Sequence, residues 1–290
     1  MSAYKSILVP VGDAISGVAP LDAAMRLAGR FGSHVTALHV RVDPTTAVPL
    51  VGEGMSGAMV EEMIGLAETQ GAQRAMGARR AFDDACARHA MPLAIAAPVL
   101  GPSAEWIDTV GREEDLVAWR GRLSDLLVFG HPGADAEMPT AMTLNTALMA
   151  SGKPLLLCPD QLQTDFGRSI AIAWNGSAEA GRAVGCAMPF LREAKSVTVL
   201  SVAEHADSAV EAPAAELTAY LGWNGVAAAT TVVHASASHA GEELLRQASS
   251  CGADLLVMGA YTHSRLRQLI LGGVTRHVIA HAKLAVLMTH

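Results

Sequence analysis

Asp125-Leu-Leu-Val-Phe-Gly130 and Asp254-Leu-Leu-Val-Met-Gly259 are two closely matching stretches of one chain, and they decide the fold class. Each is a short apolar run that ends in glycine, which is typical of a parallel strand buried on both faces. The two copies are too far apart for a solenoid repeat. The repeat therefore predicts a duplicated α/β unit.

The beginnings and ends of the two copies also match. Lys5-Ser-Ile-Leu-Val-Pro-Val corresponds to Arg168-Ser-Ile-Ala-Ile-Ala-Trp, and Lys153-Pro-Leu-Leu-Leu-Cys158 corresponds to Lys283-Leu-Ala-Val-Leu-Met288. The segment from Pro159 to Gly167 is short and polar and contains Pro and Gly, which favours a boundary there. We therefore predict a first domain at residues 1–160 and a second at residues 168–290.

Between these anchors, strand-like and helix-like segments alternate, as in βαβ units with right-handed crossovers. We predict two tandem open parallel five-stranded sheets with helices on both faces, Rossmann-like or flavodoxin-like. In the second half the predicted strands lie near residues 168–174, 196–203, 226–234, 254–259 and 284–289. The predicted helices between them lie near residues 178–192, 211–223, 238–250 and 272–282. The middle helix of the first half, near residues 59–89, is longer and follows a loop at residues 44–57 that could be a lid or a partner surface.

Composition excludes several classes of function. Hydrophobic residues make up 51% of the chain and charged residues 17%, which is incompatible with a disordered chain. Aromatic residues make up only 4% and the net charge is −7, which argues against nucleic-acid binding. Apolar runs are too short for membrane insertion, and the first residues do not resemble a signal peptide, so we expect a cytoplasmic protein.

One stretch has the features of an anion site. After the strand that ends at Gly259, the chain continues to Gly272, Gly273 and Thr275 before a predicted helix. Glycines at a helix beginning leave backbone N–H groups exposed, and the helix dipole favours negative charge there. The carboxyl ends of parallel strands are also where ligands bind in open α/β sheets.

This stretch resembles the loop of the universal stress protein family that binds phosphate and ribose. That loop reads Gly, two residues, Gly, nine residues, Gly, and then Ser or Thr. Gly259, Thr262, Gly272 and Gly273 occupy its four positions, so Thr262 replaces a glycine and Gly273 replaces the hydroxyl residue. Thr275 matches a small hydroxyl residue found two positions further on.

The resemblance also implies an adenine contact after the first strand. Asn175 occupies the family's Asp position, and Gly176 and Ser177 follow it; the alternative is that Asn-Gly is a simple turn and Ser177 only the N-cap of the next helix. The predicted nucleotide site comprises these residues of the second half: Asn175, Gly176, Ser177, Val202, Gly259, Thr262, Gly272, Gly273, Val274 and Thr275.

The first half keeps only part of the motif. It has Gly130-His-Pro-Gly133, but Thr143-Leu144-Asn145 stands where the Gly and Ser/Thr pair is expected, and its acidic residue, Asp13, is displaced by one position. We therefore expect a degenerate nucleotide loop there.

The family resemblance implies a stress-responsive ATP-binding protein that acts as a regulator or sensor. It also implies that the strands ending at Cys158 and Met288 pair within the chain as an internal pseudo-dimer, while two chains could form a homodimer. One alternative is a nucleotide-free scaffold that binds an unknown protein partner or apolar ligand, and another is a weak ATPase. The common hydrolase and P-loop motifs are missing, so we predict no catalytic residues.

Two other patterns have simple structural explanations. His277 and His281 share a helix face, but no third ligand is evident in the sequence, so we predict a solvated face and no metal. Met55, Met59 and Met63 with Leu66 form an apolar stripe at helical spacing, which could bind a partner but is more typical of core.

Overall fold

Strands and helices alternate along the whole of the described chain. The structure is a computed structural model, and it describes residues 4–43, 57–97, 100–132, 140–203, 211–234, 239–261 and 273–290. The chain divides into two compact units. The first contains Tyr4–Phe129 and residues 140–151, and the second contains residues 130–132 and Gly152–His290.

In the first unit, four strands form parallel pairs in the order β3-β2-β1-β4. Its elements are β1 (Ser6–Pro10), α1 (Val18–Phe31), β2 (His34–Arg41), α2 (Gly57–Arg88), β3 (Ser103–Val110), α3 (Glu113–Gly121), β4 (Leu126–Gly130) and α4 (Thr140–Ala150).

In the second unit, six strands lie in the order β5-β10-β9-β6-β7-β8, and all pairs are parallel except β5 with β10. Its elements are β5 (Leu155–Cys158), β6 (Ser169–Trp174), α5 (Ala178–Leu191), β7 (Ser196–Ala203), α6 (Glu211–Trp223), β8 (Ala229–His234), α7 (Ala240–Ser250), β9 (Leu255–Gly259), α8 (Gly273–His281) and β10 (Ala285–Thr289).

The predicted α/β class with mostly parallel strands is confirmed. The strands ending at Cys158 and Met288 pair within the chain, because Leu157 of β5 lies opposite Val286 of β10 in an antiparallel register. The sequence repeat closes its first copy with β5, whereas in space β5 belongs to the second unit. We keep residues 1–160 and 168–290 as the proposed limits of the two domains.

The repeated apolar runs are buried strands. Leu126–Phe129 of β4 and Leu255–Met258 of β9 are each at most 4% exposed. In the second unit, α5 packs on β9 and β10, and α7 packs on β7 and β8. Strands in the interior of such a layered fold have no polar face, which explains why their sequences do not alternate.

An aspartate that precedes each buried run fixes the beginning of the neighbouring strand. The Asp125 carboxylate accepts hydrogen bonds from the backbone N–H of Lys5 (2.7 Å) and Ser6 (3.0 Å). The Asp254 carboxylate accepts from the backbone N–H groups at residues 167, 168 and 169. The same interaction therefore ties β4 to β1 and β9 to β6, and we call it the aspartate clamp.

The long helix differs from its expected packing. α2 extends over Gly57–Arg88, close to the predicted 59–89, but its buried residues begin only at Ala78. Met59, Met63 and Leu66 are 51%, 47% and 59% exposed, so the core interpretation of this stripe is wrong for these three residues. Met55 and residues 44–56 of the predicted loop lie outside the described residues.

Gly259 allows helix α5 to approach the end of β9. A Cβ at this position would lie 2.5 Å from the backbone nitrogen of Ala180 and 2.8 Å from Cβ of Glu179. Real Cβ atoms essentially never come so close to another heavy atom. The glycine that ends the repeated run is therefore required by packing, whatever else it does.

We predict that Asp254→Ala lowers the free energy of unfolding by about 1.5–3 kcal/mol, because three backbone N–H groups lose a charged acceptor. Urea denaturation followed by circular dichroism measures this. Asp84→Ala, on the exposed face of α2, is the control and should change stability by no more than about 0.5 kcal/mol. Equal effects of the two substitutions would mean that the clamp adds nothing.

We also predict opposite effects on stability for two alanine substitutions, one at Gly259, which packs against α5, and one at Gly185, which lies within it. Gly259→Ala should destabilise by about 1–3 kcal/mol, since the new methyl group collides with the first turn of the helix. Gly185→Ala, in the exposed middle of α5 with no atom near the added Cβ, should stabilise by about 0.5–1 kcal/mol. Thermal unfolding of both variants provides the comparison, and a neutral Gly259→Ala would contradict the packing argument.

Candidate functional site

The predicted site residues lie around the carboxyl ends of the strands in the second unit. Asn175 follows β6, Val202 lies near the end of β7, and Gly259 ends β9. Gly273 is the first residue of α8. Thr262 and Gly272 lie outside the described residues, so the middle of the predicted loop has no structural description.

The segment after β6 is a turn that begins helix α5. The Asn175 side-chain oxygen accepts from the backbone N–H of Ser177 (3.2 Å), and Gly176 has a φ of 74°. The Ser177 hydroxyl accepts from the backbone N–H of Ala180 (3.1 Å), so Ser177 is the N-cap of α5. The turn and cap interpretation is confirmed for these atoms. The side-chain nitrogen of exposed Asn175 takes no part in this turn.

The segment after β9 is held by two neighbouring elements. The backbone N–H of Ala260 donates to the carbonyl oxygen of Thr289 in β10 (2.8 Å). The backbone N–H of Tyr261 donates to the hydroxyl of Thr275 in α8 (3.4 Å). Thr275 is only 4% exposed, so its hydroxyl serves the protein's own turn. Tyr261 has a φ of 64°, a left-handed conformation that is costly for a residue with a side chain.

The beginning of α8 is exposed with respect to the described residues. Among these residues, no atom lies within 4 Å of the position that the Cβ of Gly273 would occupy. The first N–H groups of a helix have no partner within the helix, and they favour an anion. Val274 is partly exposed beside Gly273, so the backbone here is accessible from solvent.

A cluster beside this segment was not anticipated from the sequence. The rings of Tyr261 and His290 meet edge to face with centroids 5.8 Å apart, and Arg182 Nε donates to the carbonyl oxygen of His290 (3.1 Å). Arg182 also donates to Glu179 Oε1 (2.8 Å). These residues come from three distant parts of the chain, and no motif joins them.

Two groups of this cluster, Glu179 and Tyr261, are poor proton carriers at neutral pH. Partial burial opposes the charged form of Glu179, but hydrogen bonds and the Arg182 guanidinium outweigh it and lower the pKa of that carboxyl. Burial raises the pKa of the Tyr261 hydroxyl to about 12. A carboxylate held ionised and a phenol held neutral do not form a general acid and base pair suited to pH 7.

Ser201 is a second residue that the sequence did not reveal. It lies in β7 next to Val202, opposite Trp174 of β6 in the register. Ser201 is 1% exposed, and within the described part of the chain its hydroxyl has no hydrogen-bond partner. A buried hydroxyl without a partner costs free energy, which makes it notable at the ligand-binding end of a parallel sheet.

The corresponding region of the first half has its polar groups engaged differently. The Asp13 carboxylate accepts from the backbone N–H of Ile15 (2.7 Å) and from both the N–H and the hydroxyl of Ser16 (2.9 Å each). Burial opposes the charged form of Asp13, but these hydrogen bonds outweigh it and hold its pKa below the ordinary value. Asp13 is thus a turn-capping residue in this structure.

The partial glycine motif of the first half is described only at its two ends. The backbone N–H of His131 donates to the carbonyl oxygen of Cys158 (2.8 Å), so this end of the loop is tied to β5. Gly133 lies outside the described residues. Thr143, Leu144 and Asn145 lie inside α4, three residues or more beyond its beginning at Thr140.

The histidine pair of α8 does not form a metal centre with other described residues. The rings of His277 and His281 stack with centroids 4.3 Å apart. In the described ranges, no group of three or more His, Cys, Asp or Glu side chains is arranged to hold a metal ion. Across the same residues, no helix is both long and apolar enough to span a membrane.

Comparison with solved structures gives the fold. A universal stress protein from Archaeoglobus fulgidus DSM 4304 has a TM-score of 0.70 at 14% identity, over 98% of this chain and 97% of its own. A protein of unknown function from Pseudomonas aeruginosa PAO1 has a TM-score of 0.57 at 16% identity, over 99% of this chain and 92% of its own. At such identities the similarity shows a shared fold across both halves and nothing further.

Comparison of the sequence gives the family. No curated protein matches this chain in sequence. The sequence profile of the universal stress protein family matches residues 167–290, which contain every residue of the predicted nucleotide site. Over residues 167–290, less than half of the chain, the sequence is therefore similar to the universal stress protein family.

Proposed function

We propose that the second half binds an adenine nucleotide, with ATP as the first candidate, and that the protein acts as a stress-responsive regulator. The site is placed at the carboxyl ends of β6, β7 and β9. The similarity of residues 167–290 to the universal stress protein family supports a nucleotide site in this half. The geometry adds a physical reason for anion binding there.

The observation that carries the proposal is the convergence of two helix beginnings on one strand end. Gly259 lets the first turn of α5 contact the end of β9, and Tyr261 is joined to Thr275 in the first turn of α8. Helix N-termini carry partial positive charge, and α8 begins at a glycine that leaves its backbone open. Phosphate groups gain from both features.

The base and ribose of the proposed ligand would contact residues at the ends of β6 and β7. The side-chain nitrogen of Asn175 can donate to a ring nitrogen of a base, because its oxygen already accepts from Ser177. The buried Ser201 hydroxyl, next to Val202, is suitably placed to hydrogen-bond a base or ribose hydroxyl reached from the strand ends. A ligand that satisfies Ser201 removes the cost of its missing partner.

A regulator fits the site better than an efficient enzyme. In the described part of the site, Glu179 is paired with Arg182 and Tyr261 stays protonated, so neither is a general base at neutral pH. Weak ATP hydrolysis is the most we expect. Steady turnover that disappears with a charged substitution at Gly273 would be required to assign even that activity to this site.

The exposed half of α2 supports a second candidate function, a scaffold for a protein partner or an apolar ligand. Between Gly57 and Gly77 this helix buries no side chain, yet Met63, Leu66 and Met76 are 47%, 59% and 66% exposed. Methionines suit binding surfaces that must adapt to a partner. This function requires no nucleotide.

We predict that the purified protein binds ATP, ADP or AMP with a Kd of about 1–100 μM, as measured by isothermal titration calorimetry. Gly273→Asp should weaken binding at least about tenfold, because a carboxylate then lies where the phosphates are placed. The substitution should leave thermal stability intact, since an acidic residue is favourable at a helix beginning.

Val18→Asp is the matched control, because Val18 is the first, partly exposed residue of α1 in the first unit. It should leave affinity unchanged. Equal losses from both substitutions would place the site elsewhere. If denatured protein releases no nucleotide and calorimetry detects none below about 1 mM, the proposed function is wrong.

For the scaffold, we predict that Met63→Lys combined with Leu66→Lys abolishes co-purification of a bound partner. Gln70→Lys combined with Gln73→Lys adds the same charge to exposed positions of the same helix and should not. Quantitative mass spectrometry of the co-purified material measures both. A partner that both double variants retain would show that this helix face is not the binding surface.

A further inference from the structure

A groove lies at the opposite end of the second unit from the proposed nucleotide site. It has a volume of about 400 Å³ and is bordered by residues 159–163, by the last turns of α7, and by the residues before β9 and β10. Volumes of this order are common for sites that bind small molecules. The groove is at the amino ends of β9 and β10, whereas the proposed nucleotide site is at their carboxyl ends.

The groove exists because the duplication joins the two copies of the repeat at this point. β5 runs antiparallel to β10, so the chain leaves β5 at Cys158 beside the beginning of β10. The connecting segment then forms one wall with Pro159, Gln161, Leu162 and Gln163. It is anchored beyond the groove, where Asp254 accepts from the backbone N–H of Gly167 and Phe166 is 2% exposed.

Two cationic side chains border the groove. Lys283 is exposed, and none of the described acidic residues forms an ion pair with it. The Arg246 guanidinium forms an ion pair with Glu243, in which Arg246 Nε donates to Glu243 Oε2 (2.7 Å). The single carboxylate in the lining, that of Asp254, already accepts from the backbone at residues 167–169. The free charge that faces the groove is therefore positive.

Apart from His281, the rest of the lining consists of apolar and neutral polar groups. Leu162, Leu245 and Leu284 come from the connecting segment, α7 and the approach to β10, and each is partly exposed. Gln161 and Ser249 supply amide and hydroxyl donors. An apolar surface beside an unpaired ammonium group complements a molecule with a hydrocarbon body and one negative charge.

We propose that this groove binds a small organic anion, a carboxylate carried on an apolar body of several carbons. Lys283 pairs with the carboxylate, Gln161 and Ser249 donate hydrogen bonds to it, and the three leucines contact the hydrocarbon. The site does not overlap the proposed nucleotide site, because no residue of that site lines it.

The test is methyl NMR of the full chain, titrated with octanoate and separately with octanamide, its neutral counterpart. We expect octanoate to shift the methyl signals of Leu162, Leu245 and Leu284 with a Kd of about 0.1–1 mM. Octanamide should bind at least about threefold more weakly, because it cannot pair with the ammonium group. Octanamide binding as tightly as octanoate would overturn the role of charge.

Lys283→Gln should weaken octanoate binding at least about threefold and leave octanamide binding unchanged. Lys195→Gln, an exposed lysine of the same unit outside the groove, is the matched control and should change neither. Leu162→Ala should weaken both ligands, since it removes apolar contact. No shift of these methyl signals up to about 10 mM octanoate, or equal effects of the two lysine variants, would overturn the proposal.

Discussion

Strand β10 is the element on which the arrangement of the second unit depends. It pairs with β9 in parallel and with β5 in antiparallel fashion, and Ala285–Thr289 is buried along its whole length. A strand this apolar needs neighbours on both edges, because an exposed apolar edge invites association with other chains. Because β5 is antiparallel to β10, the end of β5 lies beside the amino ends of β9 and β10. The connecting segment therefore crosses the sheet at that end and not at the carboxyl ends of these strands.

The glycines of the candidate loop have different physical roles, although a motif gives them equal weight. Gly259 is required because a Cβ there would lie only 2.5 Å from the backbone nitrogen of Ala180 in α5. Gly273 has no such neighbour among the described residues, and its proposed role is to expose backbone N–H groups at the beginning of α8. Packing therefore requires Gly259 whether or not a ligand binds, whereas Gly273 is required only if its backbone contacts one. For this reason Gly273 is the more informative residue for function, and Gly259 for fold.

The sequence was sufficient for the order of the elements but not for contacts between distant residues. β7 and α6 have the predicted bounds, 196–203 and 211–223, because apolar runs and turn residues mark local structure. The aspartate clamp was missed, since Asp254 and the strand that it holds are 85 residues or more apart. In the candidate site, the helix beginnings were predicted from local pattern, and Asn175 was proposed only through the family resemblance. Ser201 and the contact of Tyr261 with His290 were not, because nothing in a single sequence marks a buried serine as unpaired.

The two halves use the same scaffold with different polar chemistry. After the first strand of the first half, the Asp13 carboxylate caps its own turn with three hydrogen bonds. After the first strand of the second half, Ser177 supplies the cap, and Asn175 uses only its oxygen in the turn. In the second half the capping residue stands one position later than in the first. The side-chain nitrogen of Asn175 is therefore not used in the turn at the end of β6. The residues that hold the strands together differ from those at the carboxyl ends of the strands. A duplicated fold can therefore keep its packing in both copies while the polar groups at the strand ends differ between them.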